Sequence, residues 1–235
     1  MKKIAVISCN APREIKYSVL AKGYTLVEVP ENPQTYKAVA SHPDINMFWD
    51  GKVLYMTEFC YEGISGEFQK RGIRCKSCGV IGEKYPENVG FNGAVVGRHV
   101  IHNFKYTDPE VLAGIKNKDG KILINVKQGY SKCSICIVDD NSVITSDKGI
   151  ARELLAHKID GLLISEGGVE LEGMNYGFIG GATGSCDDEI FFCGDITEHP
   201  DYLNIKEFIE SRGKKIDYVE NVPLTDVGTV FFINC

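Results

Sequence analysis

The segment VLAGIKNKDGKILIN (residues 111–125) runs from an amphipathic helical stretch through a glycine into an apolar strand. Val111, Leu112 and Ile115 recur at helical spacing, which indicates one buried helix face. Gly120 follows them, and a glycine adopts the left-handed conformation that ends a helix at little cost. The next residues are rich in isoleucine and valine, so we predict a helix, a glycine cap and a strand in this order.

The same pattern occurs five times along the 235 residues. The other copies are IKYSVLAKGYTLVEV (15–29), ISGEFQKRGIRCKSC (64–78), IARELLAHKIDGLLIS (150–165) and IKEFIESRGKKIDYV (205–219). The five glycines, which are 49, 48, 41 and 52 residues apart, are Gly23, Gly72, Gly120, Gly161 and Gly213. A repeat of this length is one supersecondary unit that cannot bury its own apolar face. Neighbouring units must therefore stack or close into a ring.

Between the copies lie further strand-like stretches that are interrupted by turn signals, and each predicts a hairpin. The four turns are Asp50-Gly51, Gly97-Arg98, Asp140-Asn141 and Asp187-Asp188. The repeated unit is therefore predicted to be strand–strand–helix–strand.

Counting the units predicts how the ring closes. The last copy is followed by one strand, GTVFFIN, and the first helix is preceded by one strand, KKIAVIS. We expect Lys3–Ser8 to pair antiparallel with Thr229–Asn234, because this pairing removes two exposed sheet edges. The prediction is one domain over residues 1–235, built from five modules of about 41–52 residues.

The composition of the chain argues against several classes of function. The net charge of −6 argues against a general nucleic-acid binder. No apolar run is long enough to span a membrane. Nine cysteines without a secretory signal favour reduced thiols in the cytoplasm.

Two Cys-x-x-Cys pairs, Cys75/Cys78 and Cys133/Cys136, suggest a zinc site. CSIC is expected inside a strand, where residues three apart face opposite sides, so separate core thiols are the preferred interpretation. The glycine-rich residues 165–184 lack a phosphate-binding motif and are instead expected to allow close backbone approach near the ring centre. We therefore predict neither a metal nor another cofactor.

Five closed strand–strand–helix–strand modules resemble the pentein, or guanidine-modifying-enzyme, fold, and the chain is placed in a bacterial family within that superfamily. Its members include arginine deiminases, amidinotransferases, dimethylarginine dimethylaminohydrolases and the non-enzymatic ribosome anti-association factor, translation initiation factor six. The resemblance covers essentially the whole chain and implies a closed five-module α/β propeller.

Two segments carry a local resemblance to the dimethylarginine hydrolases. HPDINMFWDGKVLYM (42–56) implies that Asp44 and Asp50 bind the guanidinium, a planar fork of donors that carboxylates accept in pairs. ENVGFNGAVVGRHVIHN (87–103) implies that Glu87 lies near the position of the family's catalytic carboxylate. The alternatives are that Asp50 only forms a hairpin turn, that Asp44 is a strand cap, and that Glu87 is a solvated loop acid.

The chain departs from the family at two catalytic positions. VKQGYSKCSICIV (126–138) carries Tyr130 where the family has its histidine. NVPLTDVGTVFFI (221–233) carries Thr225 and Asp226 where the family has its nucleophilic cysteine. Standard guanidine hydrolysis is therefore not expected. Pairing of the terminal strands would bring Cys9 near Asp226, so Cys9 is either a relocated nucleophile or a buried small residue.

We predict an acidic central mouth that contains Asp44 and Asp226, with Asp50 and Glu166 as further acids. The preferred hypothesis is a pentein that binds a small guanidine- or amidine-bearing cation without the standard catalytic pair. The alternatives are a rearranged amidinohydrolase- or amidinotransferase-like enzyme that uses another thiol such as Cys9, and a macromolecular binding module with the ribosome as its partner.

Overall fold

The structure is a computed structural model that describes residues 3–186 and 188–234. Its helices are α1 (Arg13–Ala21), α2 (Pro43–Asn46), α3 (Glu58–Gln69), α4 (Pro109–Lys116), α5 (Ser131–Ser134), α6 (Lys148–Ala156) and α7 (Tyr202–Glu210). Its strands are β1 (Lys3–Ser8), β2 (Thr25–Val29), β3 (Met47–Trp49), β4 (Val53–Met56), β5 (Arg74–Ser77), β6 (Ala94–Val96), β7 (His99–His102), β8 (Ile122–Asn125), β9 (Cys136–Asp139), β10 (Ser142–Thr145), β11 (Asp160–Leu163), β12 (Thr183–Cys186), β13 (Glu189–Phe192), β14 (Lys215–Tyr218) and β15 (Phe231–Asn234).

The strands form five three-stranded sheets of one design. In each sheet an antiparallel pair is extended by a parallel third strand, and a helix connects the second strand to the third, as a parallel crossover requires. The sheets are β3–β4–β5, β6–β7–β8, β9–β10–β11, β12–β13–β14 and β15–β1–β2. The predicted strand–strand–helix–strand unit is therefore observed.

The fifth sheet joins the two ends of the described chain. Strand β1 pairs antiparallel with β15, from Lys3 opposite Asn234 to Val6 opposite Phe231, and parallel with β2. The pairing is shorter than expected, because Thr229 has a left-handed φ of 70° and lies before the strand. This difference frees the Thr229 side chain for a polar contact described below.

The apolar core consists of five clusters, and each cluster lies between two neighbouring modules. One example joins Ile4 and Val6 of β1 to Met47 of β3 and Leu54 of β4. Another joins Ile15 of α1 to Phe191 of β13, so the apolar contact between modules continues across the closing sheet. Each unit thus buries its apolar face against the next one, as the repeat length indicates.

Four of the five predicted glycine caps have the expected left-handed φ, between 70° and 83°; they are Gly23, Gly72, Gly120 and Gly213. The prediction for Gly161 is wrong. Helix α6 ends at Ala156, Lys158 takes the left-handed position with φ of 60°, and Gly161 lies within β11. Helix α6 therefore ends earlier than the position of Gly161 predicts.

Three predicted turns lie at hairpins, namely Asp50-Gly51, Gly97-Arg98 and Asp140-Asn141, whereas the Asp187-Asp188 turn includes Asp187, which is outside the described residues.

The strand prediction for CSIC is wrong in part. Cys133 lies on the helical turn α5, and only Cys136 belongs to β9.

The two Cys-x-x-Cys pairs belong to no group of three or more potential metal ligands in the part of the chain that is described. Within residues 3–186 and 188–234, no cluster of histidine, cysteine and acidic side chains is arranged to hold a metal ion. Across the same part of the chain, every helix is too short or too polar to cross a bilayer.

We expect Phe232→Ala to lower the free energy of unfolding by about 2–3 kcal/mol, because it opens a cavity at the closing sheet. The centroid of the Phe232 ring lies 4.8 Å from that of Tyr24 and 5.9 Å from that of Phe191, so it links the closing sheet to the neighbouring β12–β13–β14 sheet. Urea denaturation followed by circular dichroism measures the change. Tyr17→Ala is the control, because that ring is 66% exposed and its loss should change stability by less than about 0.5 kcal/mol. Equal effects of the two substitutions would contradict the role of this contact.

Candidate functional site

Five short segments, one before the first strand of each sheet, meet at the centre of the ring. We call them the axial segments. They are residues 42–46, 90–93, 131–135, 177–182 and 226–230. Hydrogen bonds connect each of them to the next, and together these bonds form a closed cycle.

One half of the cycle is centred on the buried side chain of Asn92. Its amide nitrogen donates to the Asp44 carbonyl oxygen at 2.9 Å. Its amide oxygen accepts from the Lys132 backbone N–H at 2.8 Å. Asn92 therefore joins the axial segments that precede β3 and β9.

The other half of the cycle uses backbone groups. The Gly181 N–H donates to the Cys133 carbonyl at 2.9 Å, and the Thr229 N–H donates to the Gly181 carbonyl at 2.7 Å. The Asp44 N–H donates to the Gly228 carbonyl at 3.1 Å, which returns the cycle to its start. All five modules are thus fixed to one another at the axis.

The structure brings the predicted acids Asp44 and Asp226 together through Gly228. The same glycine that accepts from the Asp44 backbone donates its N–H to Asp226 Oδ1 at 2.9 Å. Asp226 Oδ2 accepts from the Phe178 N–H at 2.9 Å. Both carboxylates are buried, but only Asp226 borders the cleft described below.

Asp44 is held by donors from two other axial segments. Its Oδ2 accepts from the Thr229 hydroxyl at 2.9 Å and from the Cys133 thiol at 3.1 Å. Its Oδ1 is buried and has no hydrogen-bond partner among the described residues. Asp44 is therefore an internal acid, and no part of it lines the cleft.

Lys132 places a buried amino group beside these acids. Its Nζ donates to Thr229 Oγ1 at 3.0 Å, and Thr229 in turn donates to Asp44. Burial lowers the pKa of Lys132, while Asp44 and Asp226 oppose that shift. Sequence reasoning missed Lys132. In the sequence, Lys132 is marked only by its position shortly before the first strand of a sheet, and the same holds for Asp44.

Cys133 is the thiol nearest to the acids. Burial raises its pKa well above the ordinary value, and the charges of Asp44 and Asp226 raise it further. A protonated thiol is a poor nucleophile, because the thiolate is the reactive form. In this arrangement Cys133 is a hydrogen-bond donor to Asp44.

His42 was also missed by sequence reasoning. This residue is 4% exposed, its Nδ1 has no hydrogen-bond partner among the described residues, and that atom lies 3.8 Å from Asp226 Oδ1. Burial raises the pKa of Asp226, His42 acts against that rise, and Asp44 adds to it. His42 and Asp226 thus form a coupled pair at the floor of a cleft.

The cleft has a volume of about 1790 Å³ and is lined by residues of five segments, within 8–14, 36–42, 167–176, 195–198 and 220–227. Apart from Asp226 it has six acids, which we call the rim acids, and they are Glu14, Glu170, Glu172, Asp195, Glu198 and Glu220. Lys37 is the one lysine or arginine among the described residues that line it. The cleft is therefore strongly acidic.

The other predicted acids lie elsewhere. Asp50 accepts from the N–H groups of Lys52 and Val53 at 2.8 Å and forms an ion pair with Lys118 at 2.5 Å, so it serves the hairpin turn. Glu87 is an exposed loop acid. Glu166 is exposed and borders a separate, smaller pocket.

Cys9 is partly exposed and is not among the residues that line the cleft. Its neighbour Ser8 lines the cleft instead, with its hydroxyl 2.6 Å from that of Ser41. Tyr130 is hydrogen-bonded to Asn88 at 3.1 Å, and burial raises its pKa, so it stays protonated at neutral pH. Thr225 donates to the Pro223 carbonyl.

Comparison with known structures identifies the fold. Dimethylarginine dimethylaminohydrolase, as an adduct with S-methyl-L-thiocitrulline, is 10% identical with a TM-score of 0.56, over 94% of this chain and 93% of that one. A saxitoxin-pathway amidinotransferase from Microseira wollei is 8% identical with a TM-score of 0.56, over 88% and 73%. Agmatine deiminase from C. jejuni is 11% identical with a TM-score of 0.51, over 89% and 75%. All three are pentein-superfamily proteins, so the predicted pentein fold is confirmed.

Sequence comparison adds one finding. No curated protein sequence matches the chain. The model of a family of unknown function, DUF6873, matches residues 6–231.

We expect Gly181→Ala to lower the free energy of unfolding by about 1–3 kcal/mol, because a methyl group there would overlap the Asp226 carboxylate. Urea denaturation followed by the fluorescence of Trp49, the single tryptophan, measures the change. Gly66→Ala within α3 is the control, since its methyl group would meet nothing within 4 Å and should stabilise the helix by about 0.5–1 kcal/mol. A stable Gly181→Ala protein would contradict the close packing around Asp226.

Proposed function

We propose that this chain, which belongs to the DUF6873 family of unknown function, binds a small cation with a guanidine or amidine group in its acidic cleft. One observation carries the proposal. The buried Asp226 carboxylate lies at the floor of the cleft beside a His42 nitrogen that has no hydrogen-bond partner among the described residues, and six further acids and one lysine line the same cleft.

The geometry of Asp226 suits a guanidinium ligand. A carboxylate has about four acceptor positions, and the backbone N–H groups of Gly228 and Phe178 occupy one on each oxygen. One position on each oxygen is left for a planar pair of N–H donors, which is the bidentate arrangement that guanidinium and amidinium groups form. His42 Nδ1, 3.8 Å from Asp226 Oδ1, is a further buried polar atom that has no hydrogen bond among the described residues.

The fold comparisons support this ligand class. The names of dimethylarginine dimethylaminohydrolase, an amidinotransferase and agmatine deiminase all refer to compounds with guanidine or amidine groups. These names describe the reactions of the named proteins. For this chain they support a ligand that has a guanidine or amidine group, and the binding itself is our proposal.

The side chains favour binding over standard catalysis. Thr225 and Asp226 stand where the resemblance implies the nucleophilic cysteine, and Tyr130 stands where it implies the histidine. Cys133 is buried and protonated. A thiol nucleophile and a proton carrier are both required for the family's covalent route, and neither is supplied in the usual place.

The competing candidate is an amidinohydrolase- or amidinotransferase-like enzyme with a rearranged thiol. The candidate thiols are Cys9, which is partly exposed, and Cys133, which contacts Asp44 at 3.1 Å but is buried with a raised pKa. Turnover of agmatine or arginine that is lost in Cys9→Ser or in Cys133→Ser would establish the enzyme and identify its thiol. Absence of both turnover and binding would favour a macromolecular partner.

We expect Asp226→Asn to weaken the binding of alkylguanidines by at least about tenfold, because a charge-assisted bidentate contact contributes about 1.5–3 kcal/mol. Isothermal calorimetry with n-butylguanidine at neutral pH measures the affinity. Asp119→Asn, at an exposed position outside the cleft, makes the same chemical change and should leave the affinity unaltered. Equal affinities of the two variants would overturn the assignment of Asp226.

We expect the affinity for n-butylguanidine to fall as the pH is lowered, and to begin falling at a higher pH than an ordinary aspartate would produce. The cation needs the ionised form of Asp226, and burial raises the pKa of that carboxyl group in the free protein. Protonation therefore competes with the ligand as the pH falls through the raised pKa. Calorimetry at a series of pH values tests this. A pH-independent affinity would contradict it.

A further inference from the structure

The net negative charge of the protein is concentrated in the cleft. The chain has 32 acidic and 26 basic residues, and the cleft lining accounts for seven of those acids and for one base, Lys37. Removing these from the totals leaves 25 acids and 25 bases in the rest of the molecule. The cleft thus carries a charge of −6 with histidine neutral, which equals the net charge of the whole chain.

The rim acids are also unpaired. Across residues 3–186 and 188–234, no lysine, arginine or histidine forms an ion pair with any of the five exposed ones, Glu14, Glu170, Glu172, Glu198 and Glu220. The sixth, Asp195, accepts from the Thr197 hydroxyl at 2.5 Å, and this hydrogen bond lowers its pKa. Several like charges around one concavity produce a strong negative potential that attracts cations.

The floor of the cleft provides a second observation that points to a ligand. His42 is 4% exposed, borders the cleft and has no hydrogen-bond partner for Nδ1 among the described residues. That nitrogen faces Asp226 Oδ1 at 3.8 Å, which is too long for a hydrogen bond. Leaving a buried polar atom without a hydrogen bond costs about 1–3 kcal/mol, and a ligand that brings a hydrogen-bonding group to this floor would remove that cost. The rim acids therefore surround a built site.

Glu170 lies immediately beside that floor. The Asp226 N–H donates to the Glu170 carbonyl at 2.8 Å, and the Glu170 N–H donates to the Leu224 carbonyl at 2.7 Å. Glu172 follows two residues later on the same loop, and both glutamates are exposed and line the cleft. Both glutamates therefore belong to the part of the lining that adjoins Asp226.

From this arrangement we infer that the cleft selects linear ligands that have at least two positive charges and no carboxylate. The inference rests on the proposed function, in which Asp226 and His42 hold the guanidine or amidine head. The second cationic group then faces Glu170 and Glu172. A carboxylate on the ligand, as in a free amino acid, is repelled by the rim acids, and exposed Lys37 is the one base of the described lining that could offset this.

Four ligands with the same guanidine head and similar length separate the effect of a second positive charge from the effect of a carboxylate. They are agmatine, with a second cation; n-butylguanidine, with none; arginine, with a carboxylate beside its amine; and 4-guanidinobutyrate, with a carboxylate alone. We expect calorimetry at low ionic strength to show agmatine binding at least about tenfold tighter than n-butylguanidine. Arginine and 4-guanidinobutyrate should bind more weakly than n-butylguanidine.

Salt and substitution should both reduce the preference for the dication. The Debye length falls from about 30 Å at 0.01 M to about 3 Å at 1 M, so the advantage of agmatine should shrink as salt is added. The double variant Glu170→Gln/Glu172→Gln should weaken agmatine binding by about tenfold more than it weakens n-butylguanidine binding. The matched control is Glu62→Gln/Glu83→Gln, which removes two exposed glutamates outside the cleft and should preserve the preference.

The outcomes distinguish this inference from the proposed function. Arginine or 4-guanidinobutyrate binding as tightly as agmatine would overturn the charge selection and leave the guanidine site in place. Failure of both agmatine and n-butylguanidine to bind would overturn the two proposals together. Spermidine binding as tightly as agmatine would keep the selection for polycations and contradict the requirement for a guanidine head.

Discussion

The cycle of hydrogen bonds among the five axial segments fixes the centre of this protein. The segments are largely buried and contain no more than one short helical turn each, so many of their backbone groups need partners outside regular secondary structure. The cycle provides them, with Asn92 bonded to the segments on either side of it and Gly228 bonded to both central acids. The positions of Asp44 and Asp226 follow from this constraint. Glycines at 181 and 228 are required because a side chain at either place would overlap Asp226 or His42.

Two acids that are close together have different surroundings. Asp44 is enclosed by the Cys133 thiol, the Thr229 hydroxyl and, through Thr229, the Lys132 amino group. Asp226 is bonded to backbone N–H groups and borders the cleft. Buried charges are tolerated when polar partners and opposite charges surround them. The interior thus encloses one acid among its own side chains and places the other, still buried, at the edge of the cleft.

The repeat made the fold predictable, because helix, glycine and strand recur with a spacing that local chemistry explains. The approach of Asp44 to Asp226 followed from the same symmetry. Local signals failed where tertiary contacts decide the conformation. Lys158 replaced Gly161 as the left-handed residue, and the turn at Cys133 interrupted what resembled one strand. The family resemblance predicted that Asp50 binds the ligand, but its carboxylate instead holds the hairpin turn and forms an ion pair with Lys118. Lys132 and His42 had no motif, since only their positions before first strands mark them.

The five inter-module clusters have a consequence for how the protein folds and unfolds. In an open solenoid the terminal repeats have one neighbour, so they fray first and the rest can persist. Here every module has two neighbours, and no repeat is more weakly supported by virtue of lying at an end. Opening the ring anywhere removes a cluster and a link of the axial cycle at once, which favours all-or-none unfolding. The closing pairs, Lys3 with Asn234 and Val6 with Phe231, span almost the whole chain, and contacts of such high sequence separation make folding slow. The same circular topology that removes weak ends therefore delays the native state until the first and last strands meet.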